Sequence, residues 1–484
     1  MNTLTMLNFI AVMPEIVILT AASLILVVDL FVADNRRHVT YWLTQLALLG
    51  AVCVTIATSR DDVVKAFRNM VVDDMLADFL RLACFVSVSL MLFYSRSYLT
   101  ARGLFRGETF VLTLFALLGM QVMISGNSFL TLYLGLELLS LSLYAMVALD
   151  RDHQGAAEAA MKYFVLGALA SGMLLYGLSM IYGATGSLDI DVVARSVLSK
   201  QGNALLITFG LVFVVSGIAF KLGAAPYHMW VPDVYQGAPT AITLLIGTAP
   251  KLAAFALTIR LLSGALQGTA FDWQGMLIVL SLLSMVLGNL IAIAQSNIKR
   301  MLAYSTIANM GFMLLGFLAA DLNGFSAAMF YTIAYVFTSL ASFGMVMLLS
   351  RAGFECELLE DFKGLNQRAP WWAFIMLLVM FSLAGLPPTV GFYAKFLVIE
   401  AAINAGFTWL AVIAVVTSLI GAFYYLRVVK LMYFDDPADR SPLDTRGDAR
   451  ILLSTNGVLL LLLGILPQQL MGICVIALTQ SHFL

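Results

Sequence analysis

The 484 residues are 61% hydrophobic and only 11% charged, with a formal net charge of −1, whereas a soluble domain carries roughly 25% charged residues. Mean hydropathy is +0.94. Such a chain has too little polar surface to cover a water-soluble fold, which excludes a soluble enzyme; disorder is excluded as well, because it needs low hydrophobicity and high net charge, and a charge near zero offers no basic footprint for nucleic acid. The apolar residues run in long stretches without alternation, such as Ile16–Val28 and Val458–Leu466, unlike the alternating segments of about 10 residues in a membrane β-barrel. The composition therefore predicts an all-α polytopic membrane protein.

Taken in chain order, the first 35 residues hold no Lys or Arg, so they lack the positive n-region of a cleavable leader and read as a retained first span. At roughly 20 apolar residues per crossing, about 14 spans follow, near 8–31, 40–58, 74–97, 108–125, 128–149, 159–183, 203–235, 238–264, 273–295, 299–319, 325–350, 370–402, 405–433 and 451–480. Glu15, just after Pro14, suits a helix start. Arg81 lies near the start of the third span. Arg260, Arg427 and Lys430 lie near span ends, where snorkelling accommodates a long cationic side chain. The loops after odd-numbered spans carry about 14 Lys and Arg, among them Arg440 and Arg446, against about 5 on the opposite side. This positive-inside bias places both termini on the outer (periplasmic) side.

Two spans contain helix breakers beside a lysine. Lys221 is followed by Gly223, Pro226 and Pro232, whereas Gly385, Pro387, Pro388 and Gly391 precede Lys395. Unwound backbone at membrane depth survives only where it is buried in protein or lines a wet cavity, and broken helices in corresponding halves point to a transport site. The spacing predicts four parts: a three-helix segment 1–107, a five-helix repeat 108–264, a second, inverted five-helix repeat 273–433, and a C-terminal loop and last helix 434–484. The broken helix is fourth in each repeat, although Lys221 precedes its break and Lys395 follows its own.

Charged residues inside the spans are the functional candidates, since each costs about 2.5–3.5 kcal/mol or more at mid-membrane. They are Glu137, Lys162, Lys221, Lys251 and Lys395. Lys162 sits only about one turn inside its span, so snorkelling competes with a site role there. Burial disfavours the charged form of lysine and a carboxylate favours it, so a buried Lys beside Glu137 holds a proton with an adjustable grip. The sequence leaves open whether Lys221 or Lys162 is the partner. His228, just past the first break, reads equally well as a proton relay or as a group bonded to a freed carbonyl. Ser305, Thr306, Asn309, Tyr331 and Tyr335 are able to hold water for a proton path, but such residues are ordinary in membrane helices. Four dispersed histidines (His38, His153, His228, His482) and four dispersed cysteines predict no metal site.

Four segments carry a resemblance: FKLGAAPYHMWVPDVYQGAPT, LGLELLSLSLYAMVAL, GNLIAIAQSNIKRMLAYSTIANMG and SLAGLPPTVGFYAKF. They resemble the antiporter-like proton-translocating membrane subunits. That family includes three subunits of respiratory complex I, the proton-pumping NADH–quinone oxidoreductase, together with multisubunit cation/proton antiporters and membrane-bound hydrogenases. The resemblance covers nearly the whole chain. Among the three complex I paralogues, the absence of a lateral C-terminal helix disfavours the longest, and Lys395 disfavours the one that usually has Glu there. Lys162 matches the extra sixth-span lysine typical of the third. The resemblance implies a translocase subunit in a bacterial inner membrane, with Glu137, Lys162, Lys221, His228, Lys251 and Lys395 carrying protons. It implies no cofactor in this chain; FMN, iron–sulfur clusters, NADH and quinone would belong to other subunits of the complex. The implied partners are a neighbouring antiporter-like subunit, small membrane subunits near the quinone end, and lipid. The competing readings are a cation/proton antiporter or hydrogenase subunit of the same fold, a stand-alone solute transporter, and a membrane scaffold.

Overall fold

The computed structural model describes residues 8–351, 353–437 and 447–481; Arg440, Arg446 and His482 lie outside them. Among the described residues, 13 helices are long and apolar enough to cross a membrane. The first seven are α1 (Met13–Asp29), α2 (His38–Thr58), α3 (Met75–Ala101), α4 (Gly107–Ser125), α5 (Phe129–Val147), α6 (Gln154–Thr185) and α7 (Ala204–Leu222). A short α8 (Trp230–Gly237) continues α7 beyond its break. The next crossing is α9 (Thr240–Gly247) followed by α10 (Ala249–Ile259). Then come α11 (Ala270–Ile293), α12 (Ile298–Leu318) and α13 (Leu322–Leu349). Two shorter helices, α14 (Pro370–Ala384) and α15 (Val390–Asn404), make up one more crossing end to end. After them come α16 (Thr408–Phe434), α17 (Gly447–Ile465) and α18 (Pro467–Gln480). The expected all-α polytopic fold is observed, with departures from the sequence reading, among them the division of the last expected span, 451–480, into α17 and α18. A small antiparallel hairpin pairs β1 (Val64–Ala66) with β2 (Val71–Asp73), and the eighth span is broken at Thr248.

Helix starts are written locally. Asp74, Ser128, Asn297 and Asp321 each accept a hydrogen bond from a backbone N–H in the first turn of the helix they precede, satisfying donors that lipid would leave orphaned. Small residues then let helices approach closely. A Cβ on Gly119 would lie 2.4 Å from the Leu139 nitrogen, and one on Gly135 2.6 Å from that of Met123, so α4 and α5 are in backbone contact. Burial grades from the edge to the centre. The most apolar stretch of the α17 crossing is 22% buried within the protein, whereas those of Thr240–Ala265 and Ile298–Leu318 are 100% buried. The innermost helices are therefore the ones that carry polar residues away from lipid.

At the face opposite the arginine-rich loops, two arginines are sealed inside. Arg81 is 0% exposed and donates to Glu15 at 2.7 Å, Asp73 at 2.6 Å and Asp78 at 3.2 Å. Ser125 also donates to Glu15, at 2.9 Å, so Glu15 does more than favour a helix start. Arg260 does not snorkel. It is 2% exposed, donates to the Ile124 carbonyl at 2.6 Å, and grips both oxygens of Asp74 at 3.1 and 3.2 Å. The reason is a turn of π-helix over Arg260–Ala265 that directs the end of this crossing inward, where Asp74 already caps α3.

Breaking such a pair leaves an uncompensated buried charge, which costs about 3–5 kcal/mol. Arg260→Ala is expected to lower the unfolding midpoint of the purified protein in detergent by several degrees, while Arg427→Ala, at an exposed span end, leaves it near wild type. Asp73 supplies a pH dependence. Burial pushes its carboxyl up to about 6, against the pull of Arg81. The folded chain thus binds this proton more tightly than the unfolded chain does, and stability falls as pH rises from about 4 to about 6. Asp73→Asn is expected to remove a decline on the order of 2 kcal/mol across that window, read as a flatter plot of unfolding midpoint against pH.

Candidate functional site

Both predicted breaks are present, and they share one local geometry. The helix α7 ends at Leu222, and Gly223 takes φ +79°, with Gly223 and Ala224 donating back to Phe220 and Ala219. The helix α14 ends at Ala384, and Gly385 takes φ +80°, with Gly385 and Leu386 donating back to Phe381. Each is a left-handed glycine termination, a conformation that a side chain resists. Each leaves the last helical carbonyl without a helical donor, and in each a lysine supplies one. The Nζ of Lys251 donates to the Leu222 carbonyl at 2.8 Å, and the Nζ of Lys395 donates to the Ala384 carbonyl at 2.9 Å. A helix C-terminus carries partial negative charge that favours a cation, so both ammonium groups sit where the broken backbone supports them.

In docking on a helix end, Lys251, which arrives from another helix, does at the first break what Lys395 does at the second. Lys251 reaches the break because the eighth span is itself interrupted. Thr248 has φ −123° and ψ −99°, and Pro250 lies in the first turn of α10, which is where a missing N–H costs least. Lys251 is 1% and Lys395 8% exposed. Lys395 also donates to the Ser418 hydroxyl at 3.0 Å and lies 4.8 Å from the centre of the Phe312 ring.

Lys221, in the last turn of α7, donates to the Ser140 hydroxyl at 2.8 Å. Glu137 lies one turn before Ser140 on α5. Among the described residues no ion pair joins Glu137 to Lys221 or to Lys162, and the buried Oε1 of Glu137 has no hydrogen-bond partner. Neither of the two direct pairs left open by the sequence is formed; Lys221 is held by Ser140, which in turn donates to the Leu136 carbonyl at 2.6 Å. Lys162 has a side chain 42% exposed and pairs with Glu158 at 2.8 Å and Asp233 at 2.7 Å. Asp233 in turn accepts from Arg300 at 2.8 Å. These groups line a cavity of about 300 Å³ toward the arginine-rich face. The sequence reading passed over Asp233, although an acid directly after Pro232 in a broken helix was a signal. His228 is half-buried in the connector, and its Nδ1 is buried without a partner.

Around Lys395 the polar residues of α12 and α13 form a connected set. Lys395 lines a cavity with Asn309, Tyr331, Tyr335, Thr338 and Ser382. Tyr331 donates to Asn309 at 2.7 Å, and Asn309 donates to Ser305 at 3.2 Å. The hydroxyls of Ser305 and Tyr425 lie 2.5 Å apart. Tyr335 donates to Thr306 at 2.7 Å. The sequence marked Ser305, Thr306, Asn309, Tyr331 and Tyr335 only as ordinary polar residues. It missed Tyr425, Thr338, Ser382 and Ser418, each of which lies on an apolar helix where one hydroxyl gives no sequence signal.

Residues 126–421 match the model of the family described as NADH:quinone oxidoreductase/Mrp antiporter, TM. NADH-quinone oxidoreductase subunit N of Thiobacillus denitrificans is 58% identical over 478 residues, covering 99% of both chains. A chain of respiratory complex I from Thermus thermophilus with bound aureothin is 32% identical with a TM-score of 0.81, over 95% of this chain and 98% of that one. A chain of the Mrp complex from a Dietzia species has the same fold, with a TM-score of 0.83 at 21% identity over 98% of this chain and 97% of its own. With its buried lysines docked on broken helices, this chain belongs to the NADH-quinone oxidoreductase subunit N family.

Proposed function

We propose that the chain is a proton-translocating membrane subunit of a bacterial NADH–quinone oxidoreductase, in which the proton moves by way of Lys221, Lys251 and Lys395. The observation that carries this reading is the repeated docking of a buried lysine on the terminal carbonyl of a broken helix. At such a site the helix-end carbonyl favours the ammonium while burial disfavours it. Small changes in nearby charge then decide whether the proton stays. Glu137, half-buried on α5 with a free oxygen, is placed to make that change when a neighbouring subunit alters its surroundings. A charge shift there acts electrostatically on Lys221, Lys221 acts on Lys251, and the Asn309–Tyr331 set supplies polar footholds near Lys395. Lys162 and Asp233 line the intake vestibule, and His228 offers an unpartnered nitrogen near the first break. Moving one charge against about 150 mV costs roughly 3.5 kcal/mol, a cost that the desolvation of one buried ion matches.

On this reading NADH oxidation, flavin, iron–sulfur clusters and quinone reduction belong to other subunits. The chain sits in a bacterial inner membrane with both termini outward, beside another antiporter-like subunit and the small membrane subunits near the quinone end. Residues 108–264 and 273–433 are the two inverted halves, each contributing one broken helix and one docked lysine.

Lys221→Ala and Lys395→Ala, introduced into the chromosomal gene, are expected to leave the complex assembled while NADH-driven quinone reduction and proton uptake into inverted vesicles fall together by at least several-fold. Wild-type values for both activities would make the chain a scaffold. Tyr331→Phe removes the donor to Asn309 and nothing else, and a two- to fivefold slowing of turnover, without loss of assembly, is expected if the Lys395 chamber conducts.

A further inference from the structure

The Lys221 chamber has an aromatic wall to which the steps above give no part. The cavity beside Lys221 is lined by Ser140, Tyr144, Tyr163 and Trp230. Trp230 is 3% exposed. Its ring stacks on Tyr163, with centroids 4.7 Å apart and planes 13° apart, and Tyr163 meets Tyr144 edge-on at 4.6 Å. The indole is pinned by its Nε1, which donates to the Phe220 carbonyl at 3.0 Å in the last turn of α7. The Lys251 Nζ lies over the same ring, 5.8 Å from its centroid. One indole therefore touches the chamber of one lysine and carries the ammonium of the next. One turn along α8, Asp233 is tied to Lys162, the residue before Tyr163, so the vestibule ion pair and the stack fasten the same two helices together.

We infer that the Trp230–Tyr163 stack is a dry partition between Lys221 and Lys251, a positioning element that keeps the two lysines from exchanging protons except when α8 shifts. This rests on the reading that both lysines hand on the proton. A proton moves only along polar atoms or water. The faces of the stacked rings offer neither, and the indole N–H is already committed to the Phe220 carbonyl, while the π-face favours the cation on Lys251. Truncating the indole frees space for several waters, each needing about 30 Å³, in a place already bordered by a hydroxyl and two amines that would hold them.

The test uses the assembled complex in proteoliposomes, with Trp230→Ala, Trp230→Phe and Lys251→Ala compared. The expected result for Trp230→Ala is continued NADH oxidation with the steady-state pH gradient at least halved, and a decay after NADH is exhausted at least twofold faster. Trp230→Phe keeps a ring in place and restores most of the gradient. Lys251→Ala loses oxidation and pumping together. A normal gradient and decay in Trp230→Ala, with Lys251→Ala still inactive, overturns the partition and leaves the lysine relay standing. A fully active Lys251→Ala overturns the relay and the partition with it. Where Trp230→Ala does not assemble, Tyr163→Leu, which keeps bulk and loses the stack, gives the same readout and is judged by the same outcomes.

Discussion

A polar backbone group stranded away from water must find a partner, and most of this structure answers to that constraint. Breaking a helix at membrane depth frees carbonyls that lipid cannot satisfy. Burying a lysine creates a charge that lipid cannot solvate. Each problem supplies the other's solution: the Leu222 carbonyl accepts from Lys251 and the Ala384 carbonyl from Lys395. The two glycines in left-handed conformation set where each helix stops, and the partial charge of the helix end sets how the ammonium is held. Burial disfavours the charge on each amine while the helix-end carbonyl favours it, so the two effects oppose each other at both breaks.

The surrounding helices serve that balance in different ways. The outer crossings face lipid and carry little polarity. The inner ones, through Thr240–Ala265 and Ile298–Leu318, are enclosed on every side, so Thr306 and Asn309 meet Tyr335 and Tyr331 instead of lipid. At the end opposite the arginine-rich loops, Arg81 and Arg260 clamp α1, α3, α4 and the end of α10 through carboxylates and a carbonyl. That clamp fixes the end of the helix whose first turn bears Lys251. A rigid frame matters here because displacing an amine by about 1 Å from its acceptor forfeits most of a hydrogen bond.

Legibility in the sequence followed the range of the interaction. The crossings, the two main breaks and the four deeply placed charges Glu137, Lys221, Lys251 and Lys395 follow from runs of apolar residues and from Gly and Pro, which act within a few positions of themselves. The interruption at Thr248 was missed because a single Pro250 beside a lysine reads as a helix start as easily as a kink. Arg260 was misplaced because distance from a span end says nothing about which way a π-turn directs the side chain. Lys162 was left between two readings, and its real partners, Glu158 and Asp233, come partly from a helix 71 residues further on.

By itself the sequence determined a helical membrane protein with buried lysines beside broken helices, because hydropathy, helix termination and the cost of charge in lipid are local properties of residue types. Only the tertiary structure decided which lysine meets which carbonyl. It paired Lys251, not Lys221, with the first break, gave Lys221 the Ser140 hydroxyl as its partner instead of Glu137, and gathered Ser305, Asn309, Tyr331 and Tyr425 into one set. The physical reason is directional: a hydrogen bond is made or lost within a few tenths of an ångström, and that geometry is set by how separate helices pack, which no local pattern of residues encodes.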